Sequence, residues 1–263
     1  MAETSKQLLG KVAIVTGASS GIGAGTAVEF ASNGCSLALV GRNEANLNAT
    51  GEKCQNAGLE KEKILLIVAN LSKENETKEV VQKTISKFGQ LDILINGAGI
   101  LCSGDVLTCK LEEYDEIMNV NVRSILVLSR AATPYLLEKK GNIVNVSSIT
   151  GIRPFANVLP YCMSKAALDQ FTCCTALDLA SRGVRVNSVN PGVIVTEIHR
   201  RAGMSDDEYK TFLEQSKNTH ALGRVGTVEE VAQLILFLAS DKAGFITGQT
   251  VAIDGGRTLL TAR

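Results

Sequence analysis

The sequence KVAIVTGASSGIG, residues 11–23, runs from a short apolar segment through a glycine-rich turn into a segment of small residues. The β-branched apolar residues predict a strand, and the small residues after the turn predict a helix. Glycines at such a junction let the backbone approach a pyrophosphate closely, and the unpaired N–H groups that begin the helix favour an anion. This stretch therefore predicts a dinucleotide phosphate site, formed by Gly17, Ser19, Ser20, Gly21, Ile22 and Gly23.

The same alternation of apolar run and helical segment continues along the chain. Seven apolar, β-branched runs predict strands at 11–16, 36–40, 64–69, 91–95, 142–146, 184–189 and 250–253. The segments between them have apolar residues three or four positions apart, which is typical of helices. Because the strands are apolar almost throughout, both faces of the sheet must be covered. The sequence thus predicts an α/β fold with one domain over residues 1–263, a Rossmann-type doubly wound parallel sheet of about seven strands.

Two capping boxes and one long connection add local detail. Ser205 with Glu208 and Thr227 with Glu230 each place a hydroxyl three residues before a carboxylate, which predicts a helix start. The region 194–222 is polar, longer than the other connections and without a strand. We expect it to form a mobile substrate flap.

The composition excludes several classes of protein. The chain of 263 residues has 27 basic and 27 acidic side chains, so it has no overall field to attract nucleic acid or an anionic membrane. No apolar run reaches the roughly 18 to 20 residues that span a bilayer as a helix. The N-terminal residues 1–9 resemble neither a signal peptide nor a transit peptide, so we expect a cytoplasmic protein. The seven cysteines contain no C-x-x-C pair, which favours buried, reduced thiols and no metal site.

A rival interpretation of the glycine-rich turn is a hydrolase site. Residues 17–21 match G-x-S-x-G, the nucleophile elbow of serine hydrolases. An elbow serine normally follows several strands, whereas Ser19 follows the first one. Only His199 and His220 are present as possible bases. The dinucleotide interpretation is therefore preferred.

The end of the second predicted strand indicates which cofactor is used. An NAD site places a carboxylate about twenty residues beyond the last glycine, where it binds the ribose hydroxyls. This chain has Arg42 and Asn43 there, preceded by Gly41. A guanidinium binds a 2′-phosphate bidentately, so Arg42 predicts NADPH rather than NADH. The alternative is a solvated arginine at a helix start.

A candidate proton donor follows the fifth predicted strand. In Tyr161-Cys162-Met163-Ser164-Lys165 the phenol and the ammonium are four residues apart, and Pro160 suits the first turn of a helix. The adjacent cation favours phenolate and prepares the hydroxyl to give its proton to a developing alkoxide. Tyr135 and Lys139 have the same spacing. Of the two tyrosines, however, only Tyr161 has a hydroxyl-bearing residue, Ser148, thirteen positions before it in the sequence.

Together these motifs resemble the short-chain dehydrogenase/reductase superfamily over residues 11–256. The family's T-G-x-x-x-G-x-G motif falls on Thr16, Gly17, Gly21 and Gly23, and its catalytic tetrad on Asn121, Ser148, Tyr161 and Lys165. The resemblance implies reduction of a small-molecule carbonyl by hydride transfer from NADPH. It implies that Ser148 holds the carbonyl oxygen and that Tyr161 protonates it. It also implies that Lys165 binds the nicotinamide ribose, with Asn121 ordering a water relay behind it.

The resemblance implies further cofactor contacts at Asn70, Leu71, Asn96, Gly97, Ala98, Pro191, Gly192, Val193 and Thr196. Residues 191–196 resemble the segment that contacts the nicotinamide carboxamide. Two positions depart from the family pattern. The family's N-N-A-G reads Asn96-Gly97-Ala98-Gly99, which predicts lower local rigidity. Asn70 replaces an acid that faces the adenine amino group, and we expect its side-chain oxygen to accept that hydrogen bond.

The substrate is less determined than the reaction. Apolar residues near the expected carbonyl site favour a hydrophobic or fatty substrate, but they suit the core equally well: Ile149, Ile152, Phe155, Val158 and Leu159. The run His199-Arg200-Arg201 suits either an acidic substrate tail or a solvated face.

Several alternatives therefore stay open. The chain looks most like β-ketoacyl carrier-protein reductases, which place carrier-docking basic residues where Lys139 and Arg182 fall. A ketosteroid, retinal-type or xenobiotic carbonyl fits the same apolar surroundings. The alternative of another class is a nucleotide-binding regulator or scaffold without turnover. Tetramers are common in the family, so we expect a homotetramer or homodimer, with Asp254-Gly255-Gly256 near a subunit interface.

Overall fold

One parallel sheet organises the molecule, as seen in a computed structural model that describes residues 6–260. Its strands are β1 (Val12–Thr16), β2 (Ser36–Gly41), β3 (Ile64–Val68), β4 (Ile93–Asn96), β5 (Asn142–Val146), β6 (Arg185–Pro191) and β7 (Thr250–Ile253). They are paired in the order β3-β2-β1-β4-β5-β6-β7. This confirms the predicted doubly wound parallel sheet. The largest differences are at β4, which begins two residues later than predicted, and at β6, which continues two residues past Val189 because Asn190 and Pro191 pair with β7.

Helices cover both faces of this sheet. They are α1 (Gly21–Ser32), α2 (Glu44–Asn56), α3 (Glu74–Phe88), α4 (Leu111–Met118), α5 (Ser124–Lys139), α6 (Leu159–Ala180), α7 (Ile198–Arg201), α8 (Asp206–Asn218) and α9 (Val228–Ala239). A π-helical turn, Asn119–Arg123, joins α4 to α5. Short 3-10 turns are formed by Lys61–Lys63, Ile149–Gly151 and Asp241–Ala243.

The core has two layers, one on each face of the sheet. On one face Phe30 of α1 and Ile235 of α9 pack against the strands. On the other face Val80 of α3 and Leu128 of α5 do the same. Burial on both faces explains why the strands are apolar almost throughout.

The chain reverses its direction of travel across the sheet between β3 and β4. Strand β1 pairs with β2 on one side and with β4 on the other, so its carboxyl end lies at the topological switch point. In open α/β sheets ligands bind in the crevice outside the carboxyl ends at this point. The residues that end β1, β4, β5 and β6 therefore border one crevice.

The predicted flap contains two helices, α7 and α8. The capping box of Ser205 and Glu208 begins α8, and that of Thr227 and Glu230 begins α9, as predicted. The Tyr209 hydroxyl of α8 donates to the Thr196 carbonyl at 2.8 Å and accepts from the Thr196 N–H at 3.1 Å. These two bonds fix α8 to the segment that follows β6.

The cysteines are free thiols, but most of them are not buried. Only Cys35 and Cys54 are buried, while Cys173 and Cys174 are exposed on α6. Burial raises the pKa of the Cys54 thiol to about 12. The prediction of buried thiols was therefore wrong for five of the seven, because the helix and loop surfaces that carry them face outward.

Two further searches concern residues 6–260 only. No group of three or more histidine, cysteine or acidic side chains there is arranged to hold a metal ion. Within the same residues, no helix combines the length and the apolar character needed to cross a bilayer.

Candidate active site

The turn after β1 closes tightly against the end of β4. Gly17 has a φ of +69°, and a Cβ built there would lie 2.6 Å from the Gly97 carbonyl oxygen. A Cβ at Gly97 would lie 2.7 Å from the Thr16 carbonyl oxygen. Both positions need glycine because the two backbones are in direct contact.

The N-terminus of α1 presents unpaired backbone donors to the crevice. The first bond of this helix runs from the Ala24 N–H to the Ser20 carbonyl at 3.2 Å, so the N–H groups of Gly21, Ile22 and Gly23 have no partner within the helix. No acidic residue lies in the first turn, and the Ser20 side chain makes no capping bond. These donors and the helix dipole fit a pyrophosphate.

The carboxyl end of β2 places a hydroxyl beside a free cation. A Cβ at Gly41 would lie 3.0 Å from Ser19 Oγ, so the absent side chain makes room for Ser19. The next residue, Arg42, is exposed and forms no ion pair with the rest of the described chain. Asn43 caps α2, its side chain accepting from the Asn46 N–H at 2.9 Å. Ser19 and Arg42 are therefore the polar groups available there for a 2′-phosphate.

Asn70 differs from its expected role. Its Oδ1 accepts from both the N–H and the hydroxyl of Ser72, at 3.1 and 2.9 Å. Both acceptor positions of this oxygen are filled, so it is not free to accept a hydrogen bond from the adenine amino group. The amide nitrogen is the part of the side chain that can still form a hydrogen bond. The following residue, Leu71, is buried.

Asn96 braces the sheet and does not face the crevice. Its side chain is fully buried and donates to Asn145 Oδ1 of β5 at 2.8 Å. The N–H groups of Gly97 and Ala98 donate to Thr16 Oγ1 at 3.0 and 3.1 Å. The turn is therefore tied to β1 despite the glycine, contrary to the expected loss of rigidity. Only the backbone of Asn96 is available to a cofactor.

Ser148 and Tyr161 meet at the carboxyl end of β5. Ser148 is only 9% exposed, and its Oγ accepts from the Thr150 N–H at 3.2 Å. Tyr161 lies in the first turn of α6, immediately after Pro160. Burial raises the pKa of Tyr161 to about 12, although a hydrogen bond with Ser148 acts to lower it. The expected shift towards phenolate is not found, because burial outweighs the stabilising contacts.

Lys165 lies one turn beyond Tyr161, inside the molecule. It is 4% exposed, and its Nζ donates to the Val146 carbonyl at 2.8 Å and lies 5.6 Å from the centroid of the Tyr161 ring. Burial lowers the pKa of Lys165 to about 8, and the nearby Asp169 acts in the opposite direction. Lys165 can therefore change its charge near neutral pH.

The π-helical turn positions Asn121 behind these residues. Its Nδ2 donates to the Ile100 carbonyl at 2.9 Å and to Ser164 Oγ at 3.1 Å. A Cβ at Gly99 would lie 3.4 Å from Asn121 Oδ1 and 3.6 Å from Lys165 Nζ. The structure thus brings all four predicted tetrad residues into one crevice.

The second tyrosine–lysine pair lies elsewhere. Tyr135 is half-buried against the core, and Lys139 is the exposed last residue of α5. Because β5 begins just after α5 ends, this pair lies at the amino ends of the strands, opposite the crevice.

The segment after β6 lies along the glycine-rich turn that follows β1. A Cβ at Gly21 would lie 3.3 Å from the Thr196 methyl carbon, so Thr196 faces the N-terminus of α1. Pro191 ends β6, and the Gly192 N–H donates to Ile253. The Val193 N–H donates to His220 Nε2 at 3.2 Å. The Val193 carbonyl accepts from Gly226, so its backbone groups are not free for a carboxamide, contrary to the expectation.

Asp169 is a functional candidate that the sequence interpretation missed. Asn190 Nδ2 donates to Asp169 Oδ2 at 2.8 Å and to the Ser148 carbonyl at 2.9 Å. Burial raises the pKa of Asp169. Asp169 thereby orients Asn190, which fixes the backbone of Ser148. The available signal was the spacing of Asp169 from Lys165, one further turn along the same helix face.

This crevice, with the glycine-rich turn after β1, the partly buried Tyr161 and the buried Lys165, defines a dinucleotide-dependent oxidoreductase, and the comparisons agree. Residues 17–258 match the family model described as enoyl-(acyl carrier protein) reductase. The chain is 38% identical over 251 residues to 3-oxoacyl-[acyl-carrier-protein] reductase FabG of Thermotoga maritima, covering 95% of this chain and 98% of that one. It is also 38% identical over 253 residues to glucose 1-dehydrogenase of Gluconobacter oxydans, covering 95% and 92%.

Comparison with solved structures supports the same family. A short-chain dehydrogenase/reductase of Caenorhabditis elegans, crystallised with cofactor, is similar with a TM-score of 0.92 and 33% identity, over 97% of this chain and 98% of that one. The chain belongs to the short-chain dehydrogenase/reductase superfamily.

Proposed function

We propose that the chain reduces an apolar carbonyl compound to an alcohol with NADPH. The observation that carries this proposal is the convergence of the Ser148 hydroxyl, the Tyr161 hydroxyl and Lys165 at the carboxyl end of β5. The same crevice contains the unpaired donors that begin α1. A proton donor and an anion site in one crevice suit a dinucleotide-dependent reduction.

The side chains divide the work at the carbonyl. When bound, the reduced nicotinamide supplies the hydride that adds to the carbonyl carbon. Ser148 binds the carbonyl oxygen, and Tyr161 gives it the phenolic proton as negative charge develops. The raised pKa of Tyr161 keeps that proton in place until the alkoxide forms. Lys165 holds a positive charge behind the phenol, and Asn121 connects Lys165 to water.

The preference for NADPH is part of the proposal. Support comes from Arg42, an exposed cation without an ion-pair partner among the described residues, and from the adjacent Ser19 hydroxyl. No carboxylate occupies the end of β2, where it would repel a 2′-phosphate.

The favoured substrate is a 3-oxoacyl thioester or another apolar ketone. Ile152 and Val195 are exposed beside the crevice, which supports an apolar substrate, whereas Ile149 is buried as part of the core. The relative from Thermotoga maritima is named as an acyl-carrier-protein reductase. A ketosteroid or xenobiotic carbonyl is the second candidate.

Lys139 and Arg182 are not placed to dock a carrier protein that delivers its substrate to the crevice of the same chain. Tyr161 is near the start of α6, while Arg182 follows its end. A helix of 22 residues is about 33 Å long, so both basic residues lie at the opposite edge of the sheet. These two residues therefore do not support docking of a carrier protein at the catalytic crevice of the same chain.

We also propose a cytoplasmic homotetramer or homodimer in which residues 194–222 cover the substrate. Free thiols at all seven cysteines support a reducing compartment. Exposed apolar side chains on the outer helices, Leu126 of α5 and Leu177 of α6, support burial against another subunit. Sedimentation equilibrium measures the assembly directly.

The test is NADPH consumption with Tyr161→Phe as the central variant. The panel contains an acetoacetyl thioester, a ketosteroid, a diketone and an aliphatic aldehyde. Wild type should reduce at least one member, and Tyr161→Phe should bind NADPH but lose about 100-fold or more of the rate, because the proton donor is gone.

Tyr135→Phe is the matched control, since it removes the same hydroxyl from the pair at the opposite edge. It should keep the wild-type rate. Full turnover by Tyr161→Phe would contradict the proposal. NADPH binding without reduction of any panel member would favour the regulator instead.

A further inference from the structure

Arg257 follows β7, in a C-terminal segment that turns back over the loop between β5 and α6. Its guanidinium carbon lies 5.0 Å from the centroid of the Phe155 ring. Arg153 fixes this segment by donating to the carbonyls of Thr258 and Leu260. The guanidinium therefore has a defined place beside Phe155.

Phe155 connects this guanidinium to the proton donor. The Cys162 thiol contacts the Phe155 carbonyl at 3.9 Å, so the Phe155 loop lies against the first turn of α6. Tyr161 belongs to that turn. Arg257 thus packs on the ring of a residue whose backbone carbonyl contacts the first turn of α6, the turn that carries Tyr161.

The guanidinium is half-buried and has no anionic partner in residues 6–260. Its five N–H groups make no hydrogen bond with those residues. Asp254 is the acid whose charge acts on the Arg257 guanidinium. The Asp254 oxygens, however, accept hydrogen bonds from the N–H groups of Gly256 and Thr258 at 3.0 and 2.6 Å. A half-buried guanidinium without a protein acceptor can bind an anion through charge-assisted hydrogen bonds.

The neighbouring cations of the flap are differently placed. Arg200 donates to Asp206 and to Glu197, both at 2.7 Å, and lies 4.2 Å from the centroid of the Tyr209 ring. Burial and then the charge of Arg257 lower the pKa of His199, so this ring contributes no cation of its own near neutral pH. In the basic run singled out in the sequence, Arg200 is therefore occupied and His199 is neutral, while Arg201 is exposed to solvent.

We propose that Arg257 binds an anionic oxygen group, a carboxylate or a phosphate, at the far end of an apolar carbonyl substrate. The reacting carbon lies at Ser148 and Tyr161, and Phe155 contacts the apolar chain between the two ends. This substrate class rests on the proposed reductase function for the position of the carbonyl.

The test uses binding, which needs no turnover. Hexanoate, hexyl phosphate and hexanamide are titrated calorimetrically into the full chain, with and without NADP+. Wild type should bind one of the two anions about tenfold or more tightly than hexanamide, because a charge-assisted hydrogen bond is worth more than a neutral one. The better anion distinguishes a carboxylate from a phosphate.

Two variants locate the effect. Arg257→Gln should bring the anion and the amide to within about twofold of each other, and Arg257→Lys should keep part of the preference. Arg182→Gln, which changes an exposed arginine at the opposite edge of the sheet, should leave the preference unchanged. NADPH affinity checks that each variant is folded.

Equal or undetectable binding of all three probes to wild type would overturn the inference. So would a preference for the anion that survives in Arg257→Gln. A chain that shows the Arg257-dependent preference but reduces no carbonyl would refute the proposed function alone.

Discussion

At the scale of single residues, the proposed preference for NADPH rests on one side chain, Arg42. It is exposed at the end of β2 and forms no ion pair with residues 6–260, and the Ser19 hydroxyl lies next to the preceding residue, Gly41. A 2′-phosphate there gains a charge-assisted, bidentate contact that NADH does not offer.

Arg42→Ala should therefore weaken NADPH about tenfold or more while changing NADH affinity by less than about twofold. Fluorescence titration of both nucleotides measures this, with Arg201→Ala as the control for loss of a surface charge. Equal weakening of the two nucleotides would show that Arg42 does not bind the 2′-phosphate.

At this scale the sequence predicts which residues line the site better than it predicts their contacts. Tyr161, Ser148 and Lys165 could be found because they stand at fixed spacings after a predicted strand and match a family motif. The contacts of Asn70 and Val193 could not, because Ser72 and His220 fill their hydrogen-bonding capacity through folding of neighbouring loops. Arg257 was missed for the same reason, since its neighbour Phe155 is about a hundred residues away in sequence.

Helix α6 carries much of the site. Pro160 begins it, and Tyr161, Lys165 and Asp169 follow at intervals of one turn on the face towards β5 and β6. A helix exposes these groups in register, which explains why the spacing alone predicted a shared face. The capping box at Ser205 predicts the start of α8, whereas no comparable signal marks α7, a helix of only four residues.

Burial of Lys165 on this helix should appear as a pH dependence of stability. The folded-state pKa is lowered from 10.5 to about 8, so between these values the unfolded chain binds a proton that the native state has shed. The free energy of unfolding contributed by this group therefore rises with pH across that window, and the full cost applies below it.

The measurement compares wild type with Lys165→Met by urea unfolding of the nucleotide-free chain from pH 7.5 to 10.5. Wild type should gain on the order of 3 kcal/mol relative to the variant across the window. The comparison of wild type with Lys139→Met, an exposed lysine, should stay flat. A flat difference for Lys165→Met as well would mean that Lys165 is not a buried, shifted cation.

The whole molecule assembles the site from segments distant in sequence. The seven strands could be predicted from apolar runs, but their order could not, because apolarity does not say which runs pair. The order matters because β1 lies between β2 and β4. That placement brings the phosphate turn, the tetrad and the segment after β6 to one edge, where a nucleotide and a carbonyl can meet.

The most direct measurement is deuterium transfer from NADPH deuterated at C4 of the reduced nicotinamide, on the face that is transferred. The panel carbonyl that is consumed fastest is used as the acceptor, and both C4 faces are labelled in separate samples. The product alcohol should carry one deuterium on its carbinol carbon with one of the labels, as seen by mass spectrometry, and Tyr161→Phe should yield essentially no alcohol. Alcohol formed without deuterium from either label, or formed at the wild-type rate by Tyr161→Phe, would contradict reduction by hydride transfer with Tyr161 as the proton donor.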